Sequence, residues 1–251
     1  MKGALIGIYT LWLRDITRFV RDKPRIISSS VQPLLWLFVL GLGLSTAFVR
    51  GGDADYMRFI YPGIISMSVL FTSIFSAVSI IWDREFGFLK EVLVAPIPRW
   101  SVVIGRALGG STVAVMQGTI ILIFAPAVGV SFTAGQLVLA FLIMFMIAFS
   151  MTSFGILIAA RMHTHEGFQV VVNFVLLPMF FLSGAMFPVN QGLPGWMHML
   201  VRVDPLSYGV DALRQTLVGI EVYSIWLDFL VVMSFGVAAL TLAVWYFERH
   251  E

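Results

Sequence analysis

The stretch WDREFGFLKEVLVAPIPRW, residues 82–100, sets six charges and two prolines between two long apolar runs. Elsewhere charge is scarce: 12% of the 251 residues are charged, 59% are hydrophobic, and the mean hydropathy is +0.93. A soluble domain is about 25% charged, and at this length it would need far more polar surface than this chain supplies. The chain therefore reads as an all-α integral membrane protein, and 82–100 as a connection between two of its spans. The absence of cysteine excludes disulfides, thiolate metal sites and a cysteine nucleophile.

A hydrocarbon core about 30 Å thick takes about 20 helical residues. Six stretches reach that length, at 26–49, 59–82, 103–129, 134–160, 168–187 and 226–247. Pro33 and Pro178 lie inside two of them and are expected to kink rather than end them, because neighbouring helices can satisfy the freed carbonyls. The N-terminus MKGALIGIYTLWLRD lacks the three-part layout of a removable signal peptide. With that end in the cytoplasm, twelve of the sixteen Lys and Arg fall inside, and Arg50, Arg58, Arg202 and Arg214 fall outside. The excess predicts a multi-pass protein of the cell membrane with both termini cytoplasmic.

Residues 4–22 form an amphipathic helix. Leu5, Ile8, Tyr9, Trp12, Leu13, Ile16, Phe19 and Val20 share one face, and Arg14, Arg18 and Arg21 line the other with Asp15 and Asp22. Leu11 fits neither. Residues 1–25 are thus expected to be a cytoplasmic interfacial segment, marked by Trp12, Arg14, Arg18 and Arg21, with a plain membrane anchor as the simpler alternative; 26–251 form the transmembrane domain. In the opening stretch Phe86, Phe88, Leu89, Val92 and Leu93 fill one arc and most charges the other, until Pro96 and Pro98 end the helix. A short rod with an apolar face flanked by both signs of charge suits a docking surface for a partner; a helix resting on lipid headgroups reads the same pattern. Residues 188–225 are too polar and too broken by Pro and Gly to span. Two pieces near 193–201 and 206–220 read as half-helices that dip in and return, which backbone tolerates only when buried in protein or lining a cavity.

REFGFLKEVLVAPIPRWSVVIGRALGGSTVAVMQG, residues 84–118, resembles the signature region of type-2 ABC transporter permeases. FLSGAMFPVNQGLPGWMHMLVRVDPLSYGVDALRQ, residues 181–215, is similar to that family's motif around the external re-entrant helices. The order of elements agrees across the whole chain. The resemblance implies a membrane subunit of a drug, lipid or polysaccharide exporter, in which 83–98 is the coupling helix seated in a cleft of an ATPase subunit. Arg84, Glu85, Phe86, Gly87, Leu89, Lys90, Glu91, Pro96, Pro98 and Arg99 would form or shape that contact. Glu85 lies on the apolar arc, where a carboxylate is costly against lipid but useful against a partner's cation. Pro188, Pro194, Trp196, Asp204, Pro205, Tyr208, Asp211 and Arg214 would build an external gate; Asp204, Asp211 and Arg214 could pair with one another or with Arg202, and are expected to hold the irregular segment together or make the gate.

Several chemistries find no setting. There is no G-x-x-x-x-G-K-[ST] phosphate loop, so no cofactor is expected in this chain, and ATP and magnesium would be bound by a partner. The glycines of GRALGGST, 105–112, suit close helix packing instead. His163, His165 and Glu166 have metal-like spacing, yet a solvated basic loop explains them more simply. Asp204, Ser207, His198 and Asp211 are the only candidates for hydrolase chemistry, and no nucleophile motif surrounds them. Gln117, Asn173 and the Ser and Thr hydroxyls at depth read as helix-to-helix hydrogen bonds. With aromatic and Met-rich spans, the expected cargo is amphipathic or lipid-like, including a lipid-linked glycan, and the expected partners are an ATPase subunit, a second copy of the chain and lipid, with no nucleic acid. A membrane-embedded scaffold or enzyme without transport is the alternative of another class.

Overall fold

The computed structural model describes residues 2–43, 56–85, 98–162, 164–188 and 194–250, and every described element is helical. The order is α1 (Lys2–Arg21), α2 (Lys23–Gly43), α3 (Tyr56–Glu85), α4 (Arg99–Leu122), α5 (Ala134–Arg161), α6 (His165–Leu182), α7 (Gly195–Val203), α8 (Pro205–Val218) and α9 (Ile225–His250). Five of them, α2, α3, α5, α6 and α9, are long and apolar enough to cross a membrane. The expected span at 103–129 becomes α4, which stops at Leu122 and gives way to a 3-10 turn at Ala125–Val128. Pro126 is the reason: it has no N–H for the Leu122 carbonyl, and its ring disfavours a continuing helix. Tyr61 of α3, fully buried, donates its hydroxyl to Leu122 O at 2.9 Å, satisfying a carbonyl that α4 leaves open.

α3 is the centre of the bundle, in contact with α4, α5 and α8, and most of its residues between Tyr56 and Ile74 are buried. α5 begins with a capping box in which Thr133 and Gln136 satisfy each other's backbone N–H groups. Both expected kinks are tolerated. Pro33 lies within α2 and is followed by a wider π-helical turn at Trp36–Leu40, and α6 runs through Pro178. The two short helices expected in 188–225 are α7 and α8; almost all of α8 is buried against α3, α5 and α9.

The face of α1 differs from the expectation. Leu5, Tyr9, Leu13 and Val20 are exposed, as a lipid-facing stripe would be, but Ala4, Leu11 and Phe19 are buried. Leu11, the misfit of the helical wheel, packs on α4. Gly105 and Gly109, four residues apart on α4, permit this approach: a Cβ at Gly105 would lie 3.1 Å from Ile8 Cα, and one at Gly109 2.8 Å from Asp15 Oδ2. α1 is therefore not only an interfacial helix but a packed member of the bundle, joined by a small-xxx-small seam. The hydroxyls also differ: Ser66, Ser111, Thr119 and Thr216 bond back to carbonyls of their own helix, the nearest acceptors in a dry interior. Gln117 does cross between helices, donating to Ser30 Oγ at 2.8 Å and accepting from Ser29 Oγ at 3.1 Å. Asn173 lies on the exposed side of α6.

At the end of α3 opposite Glu85, Gly63 lies against the backbone of Ala185, and a side chain there would run into the Ala185 carbonyl. Gly63→Val should lower stability by about 1–3 kcal/mol, the usual cost of overpacking, read as an earlier thermal unfolding transition in detergent. An unchanged transition would show that the 183–186 turn moves aside freely.

Candidate functional site

Residues 86–97, and with them Phe86, Gly87, Leu89, Lys90, Glu91 and Pro96, lie outside the described residues, as does His163. What the structure shows is how the two stems of this stretch are held. On the first stem Asp83 meets Arg106 of α4 and lies 3.2 Å from Arg14 of α1. Arg106 is nearly fully buried; its Nη1 also reaches Asp15 of α1 at 3.2 Å and Ser79 Oγ at 2.9 Å. Arg14 closes the cluster with Asp15 at 3.5 Å. Two arginines and two carboxylates from three helices thus neutralise one another where the apolar bundle ends.

Beside this cluster, Arg84 donates to the carbonyls of Met162 and, at 3.2 Å, Ala160, the last acceptors of α5. On the second stem, Arg99 donates to Glu248 O at 3.1 Å, near the C-terminus of α9. A cation at a helix C-terminus satisfies open carbonyls and complements the dipole. Pro98 precedes α4 in an extended conformation and starts it. Glu85 is the exposed last residue of α3. On α1, Trp12 donates to Thr112 Oγ1 of α4 at 3.1 Å, Arg18 lies over the Trp82 ring at 5.3 Å, and Arg21 is exposed. The described stem residues are therefore tied to α1, α4, α5 and α9, a convergence the sequence did not announce. The clue was Arg106 itself, the one charge in the apolar stretch 101–122, which needs a carboxylate from elsewhere in the chain. Among the described residues no group of three or more His, Asp or Glu could hold a metal, and His165 instead sets its ring 5.9 Å from Trp82.

At the other end Asp204, Asp211 and Arg214 form no ion pair with one another. Each holds backbone instead. Asp204 caps α8, accepting from Leu206 N at 2.9 Å and Ser207 Oγ at 3.3 Å, with Pro205 at the first helical position. Asp211 accepts from Val222 N at 3.1 Å and Tyr223 N at 2.7 Å, fixing the link into α9. Arg214 donates to Gly184 O at 2.7 Å and stacks on Phe59 of α3 at 4.1 Å. Peptide groups at helix breaks offer more open partners than distant side chains do, and they win. Tyr208 donates to Arg202 O at 2.9 Å and stacks on Tyr223. Pro194 precedes α7, while Pro188 and Trp196 are exposed. Ser207 hydrogen-bonds Asp204 only as part of this cap, with no histidine beside it, so hydrolase chemistry gains no support.

A helical bundle with apolar crossings, a charged knot at one end and backbone-tied short helices at the other defines a multi-pass membrane protein of the transporter-permease kind. Residues 7–218 match the family described as ABC-2 type transporter. The chain is similar to a putative transport permease, ycf38, of Cyanophora paradoxa, 31% identical over 82% of this chain and 72% of that protein. It is similar to nodulation protein J of Rhizobium meliloti (28% identity, 77% of this chain, 74% of that one). It also resembles the probable multidrug ABC transporter permease YbhR of Escherichia coli K12 (31% identity, 65% of this chain, 44% of that one). The chain belongs to the ABC-2 type transporter family.

Two predictions follow from the geometry. Arg106→Met leaves Asp15 and Asp83 sharing Arg14 alone and should cost up to about 3 kcal/mol, the lower end for a broken buried pair, with α1 becoming accessible to protease in detergent; an unchanged digest would mean that Arg14 and the glycine seam suffice to hold α1. Asp204, outside the crossing helices, has its carboxyl pushed up to about 7 by burial, against the lowering effect of its Leu206 and Ser207 bonds. Its folded pKa thus exceeds the unfolded value of about 3.9, so the folded state holds a proton that the unfolded chain releases. That stabilising contribution is complete below about pH 4 and is lost as pH rises through 7. Asp204→Asn should flatten the fall in thermal stability between these values; an identical pH slope in the variant would refute it.

Proposed function

We propose that the chain is the permease subunit of an ATP-driven exporter, in which two copies line a pathway for an amphipathic or lipid-like cargo. Separate subunits bind ATP and magnesium and do the hydrolysis. The observation that carries this reading is the way the stems on either side of residues 86–97 are held: Asp83 and Arg84 on one and Arg99 on the other reach four helices. A loop that only joins two spans needs no such ties. A loop that receives force does, because displacement then reaches α1, α4, α5 and α9 together.

In this reading 83–98 is the coupling helix, with Glu85 exposed and free to meet a cation in the ATPase cleft. α4 is the third of six spans, the charged end faces the cytoplasm of the cell membrane with both termini, and 188–225 is the external re-entrant gate. Homodimer formation is supported by the open sides of α2 and α6: Val31, Leu35 and Val39 on one and Val170, Phe174 and Leu177 on the other are exposed, with Asn173 set among them. An amide in a lipid-facing stripe is costly unless a second chain meets it. The apolar inner residues favour an amphiphile over a bare ion, and the multidrug name of YbhR agrees with that.

The test is co-purification from membranes of a tagged chain with its nucleotide-binding protein. Phe86→Asp or Leu89→Asp should cut the recovered ATPase by at least about tenfold, a loss typical of a buried interface anchor turned polar, while chain yield and melting stay normal. Full recovery with both variants, or no nucleotide-binding protein with the unaltered chain, would overturn the reading.

A further inference from the structure

Two neighbouring cavities of the bundle lie along α3, share part of their walls and together outline a groove. The first, about 340 Å³, lies between α1, α3, α4 and the start of α6, and its wall carries Arg18, Arg25, Trp82 and His165. The second, about 190 Å³, lies between α2 and α3 and is walled by Pro33, Met67, Phe71 and Thr72. Phe19, Arg25 and Phe75 line both. From Trp82 to Met67 is fifteen residues of helix, about 20 Å at 1.5 Å each, so the groove has the length of a lipid chain rather than of a small solute.

Its two ends differ in chemistry. Among the described residues that line the first cavity the one acid is Asp15, already engaged by Arg106 and Arg14, while Asp22 nearby accepts from the Arg25 backbone N–H. Arg18 and Arg25 are exposed there, and Arg18 is steadied over Trp82. His165 Nδ1 is shut off from solvent with no hydrogen-bond partner among the described residues. The inner end carries Phe71, Phe75, Met67 and Pro33, with Ser29, Gln32, Ser68 and Thr72 as its uncharged polar groups. A cationic mouth on an apolar slot of this length fits neither a neutral solute nor a free ion.

We infer that this groove binds an amphiphile with an anionic head. A phosphate or carboxylate sits between Arg18 and Arg25, and the chain runs along Phe75, Phe71 and Met67. This rests on the permease reading above and narrows it: the cargo, or a lipid held beside its path, carries negative charge. Each basic side chain near an acidic headgroup strengthens binding several-fold, so losing both should be felt as about tenfold or more.

The experiment is native mass spectrometry of the purified permease–ATPase complex in detergent, with phosphatidylglycerol, phosphatidylcholine or inorganic phosphate added. Phosphatidylglycerol is expected to be retained in preference to phosphatidylcholine, and phosphate alone not at all. The double variant Arg18→Gln/Arg25→Gln should lose about tenfold in phosphatidylglycerol retention. Arg21→Gln/Lys23→Gln, with the same change of charge outside the groove, should lose less than about twofold. Release of the bound lipid on adding ATP would identify it as cargo, and persistence as a resident lipid; both place an anionic amphiphile in the groove. Equal losses in the two double variants, equal retention of phosphatidylcholine, or retention of phosphate alone would overturn the inference. The same spectra separate the two readings, since a complex that keeps its ATPase but not its lipid sinks only the groove, and one that keeps lipid without an ATPase sinks only the engine.

Discussion

Everything at the charged end of the molecule depends on one buried guanidinium. Arg106 sits a third of the way along α4 with its side chain shut off from solvent, and a lone charge there would be intolerable. It is tolerable because Asp15 and Asp83 arrive from two other helices, and Ser79 takes a further N–H. The requirement works in both directions. Asp15 can reach Arg106 only if α1 lies directly on α4, and α1 can do so only because Gly105 and Gly109 carry no side chain. One charge thus dictates where the N-terminal helix docks, how close it comes, and which end of α3 it grips.

Such a cluster is not justified by stability alone. Apolar residues of equal volume often serve as well as a buried ion pair or better. What charges supply is direction: Asp83 accepts from particular atoms of Arg14 and Arg106, so α1, α3 and α4 keep one register where leucines could slide. Arg84 and Arg99 extend the same logic to the ends of α5 and α9, since a guanidinium that caps the last carbonyls fixes both the place and the angle of a helix end.

Much of this was legible before the structure, and the exceptions share a cause. Span lengths, the short helices at 195–203 and 205–218, the tolerated prolines and the packing role of the glycines all follow from periodicity and local chemistry. α4 ended early because Pro126 breaks a helix whatever the hydropathy around it. Leu11 looked misplaced because a helical wheel assumes one apolar face, whereas α1 has two, one toward lipid and one against α4. Arg106 was counted only as one of the cytoplasmic-side cations because positional charge rules register sign and not burial. Asp204, Asp211 and Arg214 hold backbone rather than one another because open N–H and C=O groups at helix breaks are closer than the unlike charges. Apart from Pro126, a local feature, each miss concerns a partner brought in by tertiary packing, which one chain segment cannot reveal.

α3 connects the two ends. At one end Asp83 and Arg84 hold α1, α4 and α5; at the other, Phe59 lies under Arg214, Tyr56 donates to Met186 O at 2.9 Å, and Gly63 touches the Ala185 backbone. Between them the helix is buried on nearly every side, so it can neither bend far nor slide without repacking its neighbours. Only a small break near Ala77, where the helical bonding shortens between Ile74 and Ile80, offers play. A displacement at the stem of residues 86–97 therefore has two places to go: into that break, or along the rod to the turn at 183–186 and the Arg214 contact. If the chain works as the proposed exporter, opening one end while closing the other, a stiff strut with one soft joint is the economical arrangement, and that joint lies within one turn of Phe75 and Ser79 in the wall of the groove.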